Sequence, residues 1–423
     1  MRLDVSAPRQ VLETLAGVGR TEDLRFSQNR QRLALVAMAR QRLFVFTIRV
    51  LAGKRIELSD VVELSSPYLQ APHGLDFLDD DTLAVANRDG ELCLFRLPPH
   101  DGRAQRELTL IRRFPAQTPA WQGPGSVAAS RCAEGHYELM VCRNVGNHVS
   151  RHLITATQDH SPLAQTLLPD DWMATPNGIS IGATRRWRAV SNLHDQCALI
   201  YTHERTDHQP MAVLRGASHP HGIRLSDDDR YLLLADAGGP YVHLYHQHDG
   251  QWQGVYDPAL SLRVMDEALF QSRHAFPPNK GGPKGLDLDT AAGILATTSQ
   301  TQPLAFFDLD QVLARVRRQG PCTVVGSTPE QDVRHQLERQ RRHVGIENEA
   351  LRLEHRAGEA ERMAALAERR AAEVAAQAAM VATGLAELRA RTEYFQTRAQ
   401  DILASSSWRI TGPLRRILAR RRR

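Results

Sequence analysis

Six short turns in this sequence carry side chains able to do chemistry. Four read Pro-x-Gly: Pro72-His73-Gly74, Pro176-Asn177-Gly178, Pro220-His221-Gly222 and Pro283-Lys284-Gly285. Two more fit the frame in degenerate form, Thr21-Glu22-Asp23 and Pro124-Gly125-Ser126. Their central residues supply a carboxylate, two imidazoles, an amide and an ammonium. An imidazole titrates near neutral pH and can take a proton from water, which makes His73 and His221 the candidate bases. Lys284 suits an anion such as a sugar phosphate, although the G-x-x-x-x-G-K-[ST] spacing is missing. No G-x-S-x-G wording occurs. His243, His246 and His248 could make a metal pair, but solvent exposure on an outer strand is the expected state. The plainer reading of the turns is polar side chains bonding neighbouring backbone, and Asn87, Asn192 and Asp236 are expected to cap tight turns.

A repeat must position these residues. The first apolar residues of the six copies are 24, 75, 127, 179, 223 and 286, at intervals of 51, 52, 52, 44 and 63. Each copy continues through a polar turn into two further strands. In the fifth these are Ser226–Asp229, Tyr231–Asp236 and Tyr241–Tyr245. Three or four short strands per repeat of about 50 residues are what a β-propeller blade needs. An all-β six-bladed propeller is therefore expected over residues 1–328. The longest interval holds an insertion, 257–280, with a helix expected around 262–271. Closure of the ring is expected from Val11–Leu15 or Thr323–Val325 pairing with the last blade, since an open ring leaves strand edges unpaired. The central residue of each turn should then lie near one mouth of the channel.

The wording His219-Pro-His-Gly-Ile-Arg-Leu-Ser-Asp-Asp-Asp-Arg-Tyr-Leu-Leu-Leu-Ala-Asp236 resembles the six-bladed propellers of the NHL, gluconolactonase/regucalcin and paraoxonase type. In gluconolactonase-like enzymes these turns give a Glu, an Asn and an Asp to one divalent metal. The resemblance thus implies Glu22 and Asn177 as metal ligands. The departures are His221 where that family has Asp, and Lys284 in the next blade. Paraoxonase-like enzymes have a Pro-His-Gly turn at the channel, which implies His73 and His221 as catalytic candidates. Oxygen ligands suit calcium, while imidazole in place of a carboxylate moves preference toward zinc or manganese. A metal there would polarise a lactone or ester carbonyl, with a neutral His taking the proton from attacking water. Lys284 opposes a cation by like-charge repulsion.

Beyond Thr328-Pro329 the architecture changes. Twenty-one of the 22 prolines precede residue 330. Leu353, Ala360, Ala367, Val374, Val381, Leu388, Phe395 and Ile402 follow one another at intervals of seven. Apolar residues such as Ala357, Ala378 and Leu385 mark a second seam position. An α-helical coiled coil is expected over 329–404, pairing with a copy of itself or with another coiled-coil protein. The remaining 405–423 form a basic tail. Its Ser405-Ser-Ser-Trp408-Arg409-Ile-Thr-Gly-Pro413-Leu414-Arg415 resembles a motif ending many bacterial glycosyltransferases and methyltransferases of cell-surface polysaccharide assembly. That resemblance implies glycan-assembly enzymes as partners. Pro413 can start a helix, with Leu414 on its apolar face and Arg415 and Arg416 elsewhere around it. Trp408, Arg409 and the other arginines would suit an anionic membrane surface. A solvated basic end is the other expectation.

Composition narrows the classes. Of the 423 residues 42% are apolar and 24% charged, with a net charge of +5. Residues 330–423 carry 19 Arg against 13 Asp and Glu, which leaves a net −1 for the first 329. The basicity belongs to the tail, and no nucleic-acid motif accompanies it. No apolar run approaches the roughly 18 residues of a membrane span, and no secretory signal pattern opens the chain. Cys93, Cys132, Cys142, Cys197 and Cys322 lack metal-ligand spacing and read as reduced, mostly buried thiols of a cytoplasmic protein. Two functions from different classes follow. The first is a non-catalytic interaction scaffold in bacterial surface-polysaccharide biosynthesis (O-antigen, capsule or similar), cytoplasmic and peripheral at the inner membrane. The alternative is a metal-dependent lactonase- or esterase-like hydrolase working in the channel. The tail, the helix and the missing Asp favour the first.

Overall fold

The computed structural model describes residues 1–319 except 100, 117–121, 156–164, 169–171, 204–208, 248 and 273–280, together with residues 375, 378–379 and 382–420. The chain divides into two units, Met1–Asn348 and Glu349–Arg423.

The first unit is a six-bladed β-propeller. The innermost strands of blades one to six are Thr21–Phe26, Pro72–Asp79, Pro124–Ala133, Pro176–Ile181, Pro220–Leu225 and Gly285–Asp289. They touch in a closed ring, each against the next and the last against the first. A proline opening four of them is tolerated because each begins an edge strand. The glycine of each Pro-x-Gly turn answers to crowding. A Cβ on Gly178 would lie 2.1 Å from the His221 carbonyl oxygen of the next blade, and one on Gly285 2.6 Å from the Asp23 Cα. The Pro-x-Gly wording thus reflects how closely neighbouring inner strands approach.

Local chemistry shapes the rest of each blade. In blade five the Tyr231 N–H donates to Ser226 Oγ at 3.0 Å, while Asp229 takes the left-handed φ of 57° that Asp tolerates. Second strands end in caps: Asn192 Oδ1 accepts the Ala174 N–H at 2.6 Å, and Asp236 accepts those of Ser218 and His219. Period-two alternation then sends opposite strand faces into different cores. Leu33 and Leu35 join the cluster between blades six and one, whereas Ala34 and Val36 join the one between blades one and two. Among the described residues, six such clusters fill the seams between neighbouring blades.

Closure differs from expectation. Val11–Leu15 lies in a helix, Arg9–Gly17, that buries Val11 against blade one. Met1–Leu3 closes the ring instead: Arg2 pairs antiparallel with Phe307, Leu3 N–H donates to Phe306 O at 2.8 Å and Asp308 N–H to Met1 O at 2.7 Å. Once these residues fill the edge of Ala305–Asp308, no strand is needed from Val11–Leu15. Thr323–Val325 lies outside the described residues. The insertion gives blade five its outer strand, Leu260–Arg263, before a helix at Glu267–Gln271. A helix at Leu309–Gln319 follows blade six and buries Leu309, Val312 and Val316.

In the second unit a helix runs over 382–404, followed by Ser406–Ile410 and Gly412–Arg420. The expected coiled coil from 329 lies for the most part outside the described residues. No helix among those described is long and apolar enough to cross a membrane.

Candidate functional site

At one mouth of the channel the turns of blades one, two, five and six bring together Glu22, His73, His221 and Lys284. Backbone carbonyls decide how the imidazoles present themselves. His73 Nδ1 lies 2.6 Å from Gly125 O and His221 Nδ1 lies 3.1 Å from Lys284 O. A carbonyl only accepts, so both Nδ1 atoms carry the proton and both Nε2 lone pairs face inward. They converge on Glu22 Oε2, at 3.4 Å from His221 and 3.6 Å from His73. The rings stack with centroids 5.2 Å apart. Glu22 Oε2 and His73 Nε2 have no hydrogen-bond partner, although Glu22 is wholly buried and His73 is 2% exposed.

The other carboxylate oxygen is well served. Glu22 Oε1 accepts from Lys284 Nζ at 2.8 Å and from Arg20 Nε. Burial would raise the Glu22 pKa, but Lys284 and Arg20, helped by His221 and His73, hold it well below the usual carboxylate value. Burial and the Arg88 guanidinium push His73 well below its ordinary pKa against the pull of Glu22. Burial likewise lowers His221. The centre at neutral pH is therefore an ionised carboxylate with two neutral imidazoles.

Three lone-pair atoms aimed at one another repel unless a cation or a proton donor lies between them. Glu22, His73 and His221 each offer one ligand atom within a common 4.8 Å. Donors separated by 3.4 and 3.6 Å match the edge of a tetrahedral site with bonds of about 2.1 Å, an edge of about 3.4 Å. Nδ1–H on a backbone carbonyl is also how metal-binding histidines are usually oriented. The residues fit a first-row divalent ion better than calcium. The cationic surroundings of Lys284, Arg20 and Arg88 work against it.

The expected residues meet this site unequally. Asn177 is buried at its blade-four turn with Oδ1 unpartnered, but no bond joins it to Glu22 or either imidazole. Lys284, expected as an anion contact, is committed to Glu22. His243 is buried rather than exposed, with Nδ1 2.8 Å from Ser261 Oγ and Nε2 3.4 Å from Asp236, because its strand is covered by Leu260–Arg263. His246 stacks on Tyr231 at 4.7 Å; His248 lies outside the described residues. Cys93, Cys142 and Cys197 are buried thiols outside any disulfide, Cys132 is half-buried, and Cys322 is outside the described residues. In the tail, Arg409, Pro413, Leu414, Arg415 and Arg416 lie on or beside the two short helices, with Leu414 61% exposed.

A second polar level, three residues along each inner strand, escaped the sequence reading. Arg25, Asp76, Ser180, Arg224 and Asp287 stitch the blades together there. Asp287 accepts the Phe26 N–H at 2.8 Å and Arg224 Nε at 3.0 Å. Asp76 accepts the Ala129 N–H, Arg224 donates to Ile179 O, and Arg25 donates to Asp23 at 2.6 Å and to Leu286 O. The signal lay in the repeat itself, as the column directly after the apolar residue. Arg20 and Arg88 fall outside the repeated turns and left no such trace.

No protein-family model matches this sequence, nor does any curated protein. Solved structures match by fold. A calcium structure of the Trichoderma reesei carbohydrate-active enzyme family AA12 matches with a TM-score of 0.50 at 12% identity, over 69% of this chain and 92% of that one. Streptogramin B lyase gives 0.43 at 12% identity over 68% and 93%, and a luciferin-regenerating enzyme 0.45 at 10% over 69% and 92%. At such identities the likeness concerns the fold alone.

Proposed function

We propose that the propeller is a metal-dependent hydrolase acting on a lactone or ester carbonyl at the channel mouth. One first-row divalent cation would be held by His73 Nε2, His221 Nε2 and Glu22 Oε2. The observation that carries this reading is the convergence of those three lone-pair atoms, two of them buried without a partner. Three protein donors leave a fourth position open, as catalytic rather than structural zinc sites do. A cation so bound supplies a polarised carbonyl and a more acidic water. The chain's own residues do the rest: Lys284 and Arg20 keep Glu22 ionised, and the carbonyls of Gly125 and Lys284 keep each Nε2 free to accept.

Elemental analysis of the purified protein with a lactone and ester panel tests this. One equivalent of zinc or manganese, lost in Glu22→Gln, with hydrolysis abolished by chelation, is the expected result. A metal-free protein inert on the panel would return the propeller to the role of an interaction scaffold.

A second reading concerns the other unit. Leu388, Phe395 and Ile402, spaced by seven, are 64%, 56% and 49% exposed, with Leu385 at 48%. Such a seam needs a partner helix, and we infer self-association or another coiled coil through 330–404. With the tail's resemblance, this supports recruitment of the propeller to glycan-assembly enzymes at the inner membrane. Sedimentation with anionic vesicles, lost on deleting 408–423 and weakened by salt, is expected; equal binding by the truncated chain would remove the lipid contact.

A further inference from the structure

A cavity of about 550 Å³ opens between blades two and three. Its lining includes Gln70 and Gln122, which lead into Pro72 and Pro124, and Arg88 and Val145, which follow the second strands. It therefore lies at the end of the ring that carries the Pro-x-Gly turns. Arg88 connects it to the channel centre. Its backbone N–H donates to Ala71 O at 2.9 Å, two residues before His73, and its charge is felt by both His73 and Glu22.

Glu22 and Asp89 attract it from a distance, but neither is paired with it. Glu22 is taken by Lys284 and Arg20, and Glu91 by Arg113 at 2.7 Å, whose guanidinium also lies 5.2 Å from the Tyr68 ring centre. Asp89 lines the cavity and attracts Arg88, but it is exposed and forms no ion pair with it among the described residues. Among the described residues the half-buried Arg88 guanidinium has neither a hydrogen-bond nor an ion-pair partner. A guanidinium does not shed its proton, so the charge persists and its fork of N–H donors is open to an anion in the cavity.

We infer that this cavity binds the oxyanion of a small molecule, a carboxylate or phosphoryl group, on the fork of Arg88, with the rest of the molecule reaching the Glu22–His73–His221 centre. The substrate class becomes an anionic lactone or ester, a step that rests on the hydrolytic reading. The anion site itself rests on Arg88 and the cavity.

Inorganic phosphate and malonate, titrated calorimetrically at low ionic strength into the full chain stripped of metal, separate the two ideas. Binding of one equivalent is expected, weakened about tenfold or more in Arg88→Gln. It should recover in part in Arg88→Lys and be unchanged in the exposed control Arg49→Gln. Tighter binding of phosphate assigns a phosphoryl group, and of malonate a carboxylate. Wild-type affinity in a folded Arg88→Gln, loss in Arg49→Gln equal to that in Arg88→Gln, or no saturable binding of either probe overturns the inference, whatever metal analysis of Glu22→Gln returns. Should Arg88→Gln not fold, an Arg88→Lys variant with unaltered affinities for both anions overturns it equally.

Discussion

Glu22 and Arg25 stand three residues apart on one inner strand, yet the two levels of the channel to which they belong handle buried polar groups differently. At the level of Arg25, donors meet acceptors across the blade seams, Asp287 with Arg224 and the Phe26 N–H, Asp23 with the Leu75 N–H and Ser180 with the Leu225 N–H, while Arg25 pairs with Asp23 on its own strand. Arg25 Nε, 3.9 Å from Asp76 Oδ1, is the belt's one buried polar atom without a hydrogen bond among the described residues. At the level of Glu22, one carboxylate oxygen is saturated while the other faces two imidazole lone pairs. A satisfied network of this kind holds a ring closed. An arrangement of opposed acceptors is stable only with something added, and that is the physical mark of a site. Both levels are buried and polar, so burial alone does not tell structure from function; the direction of the lone pairs does.

The comparison breaks most visibly in the belt. Asp287→Ala removes the partner of Arg224 and of the Phe26 N–H at two seams, and should cost about 3–5 kcal/mol in urea unfolding. A loss below about 1 kcal/mol would show that the belt does not hold the ring together.

Asp76 sharpens the contrast through pH. Burial raises its pKa to about 7 despite Arg25 and the Ala129 N–H. Because the folded pKa lies above the unfolded one, the folded state binds the extra proton. This contribution to stability is fully present below about pH 4 and is lost as pH rises through about 7. Stability should fall by on the order of 2 kcal/mol between pH 5 and pH 8 from this group alone. Asp76→Asn should flatten that slope; an unchanged slope would place the titration elsewhere.

The smallest change is expected at the mouth. In His73→Asn the side-chain amide can still donate to Gly125 O, while the inward Nε2 is deleted. Stability of the metal-free protein should stay within about 1 kcal/mol of wild type, since no satisfied bond is lost, whereas metal content should fall below one equivalent. A large destabilisation with metal content intact would make His73 structural.

The blades were readable because the constraint that shapes them repeats. Gly178 and Gly285 recur in frame since each meets the backbone of the next blade, and Leu33 and Ala34 alternate since each strand has two buried faces. Closure was not readable: Met1–Leu3 are three residues without periodicity, and Val11 and Leu15 suit either a strand or a helix face. Of the centre, Glu22, His73, His221 and Lys284 could be named because the repeat delivers them to one mouth. Their pairing could not. Asn177 shares the same frame and stays apart, and Arg88 stands outside the frame and comes near.

By itself, then, the sequence determined the number of blades, four of the residues that meet at the mouth and a helical C-terminal region, since each is written as a period or a composition along the chain. Tertiary structure alone decided that Lys284 spends its charge on Glu22, that both histidines turn Nε2 inward, and that Arg88 forms no ion pair among the described residues. Those outcomes depend on distances of about 3 Å between residues as far apart as 22 and 284, where hydrogen bonding and Coulomb interaction discriminate most steeply.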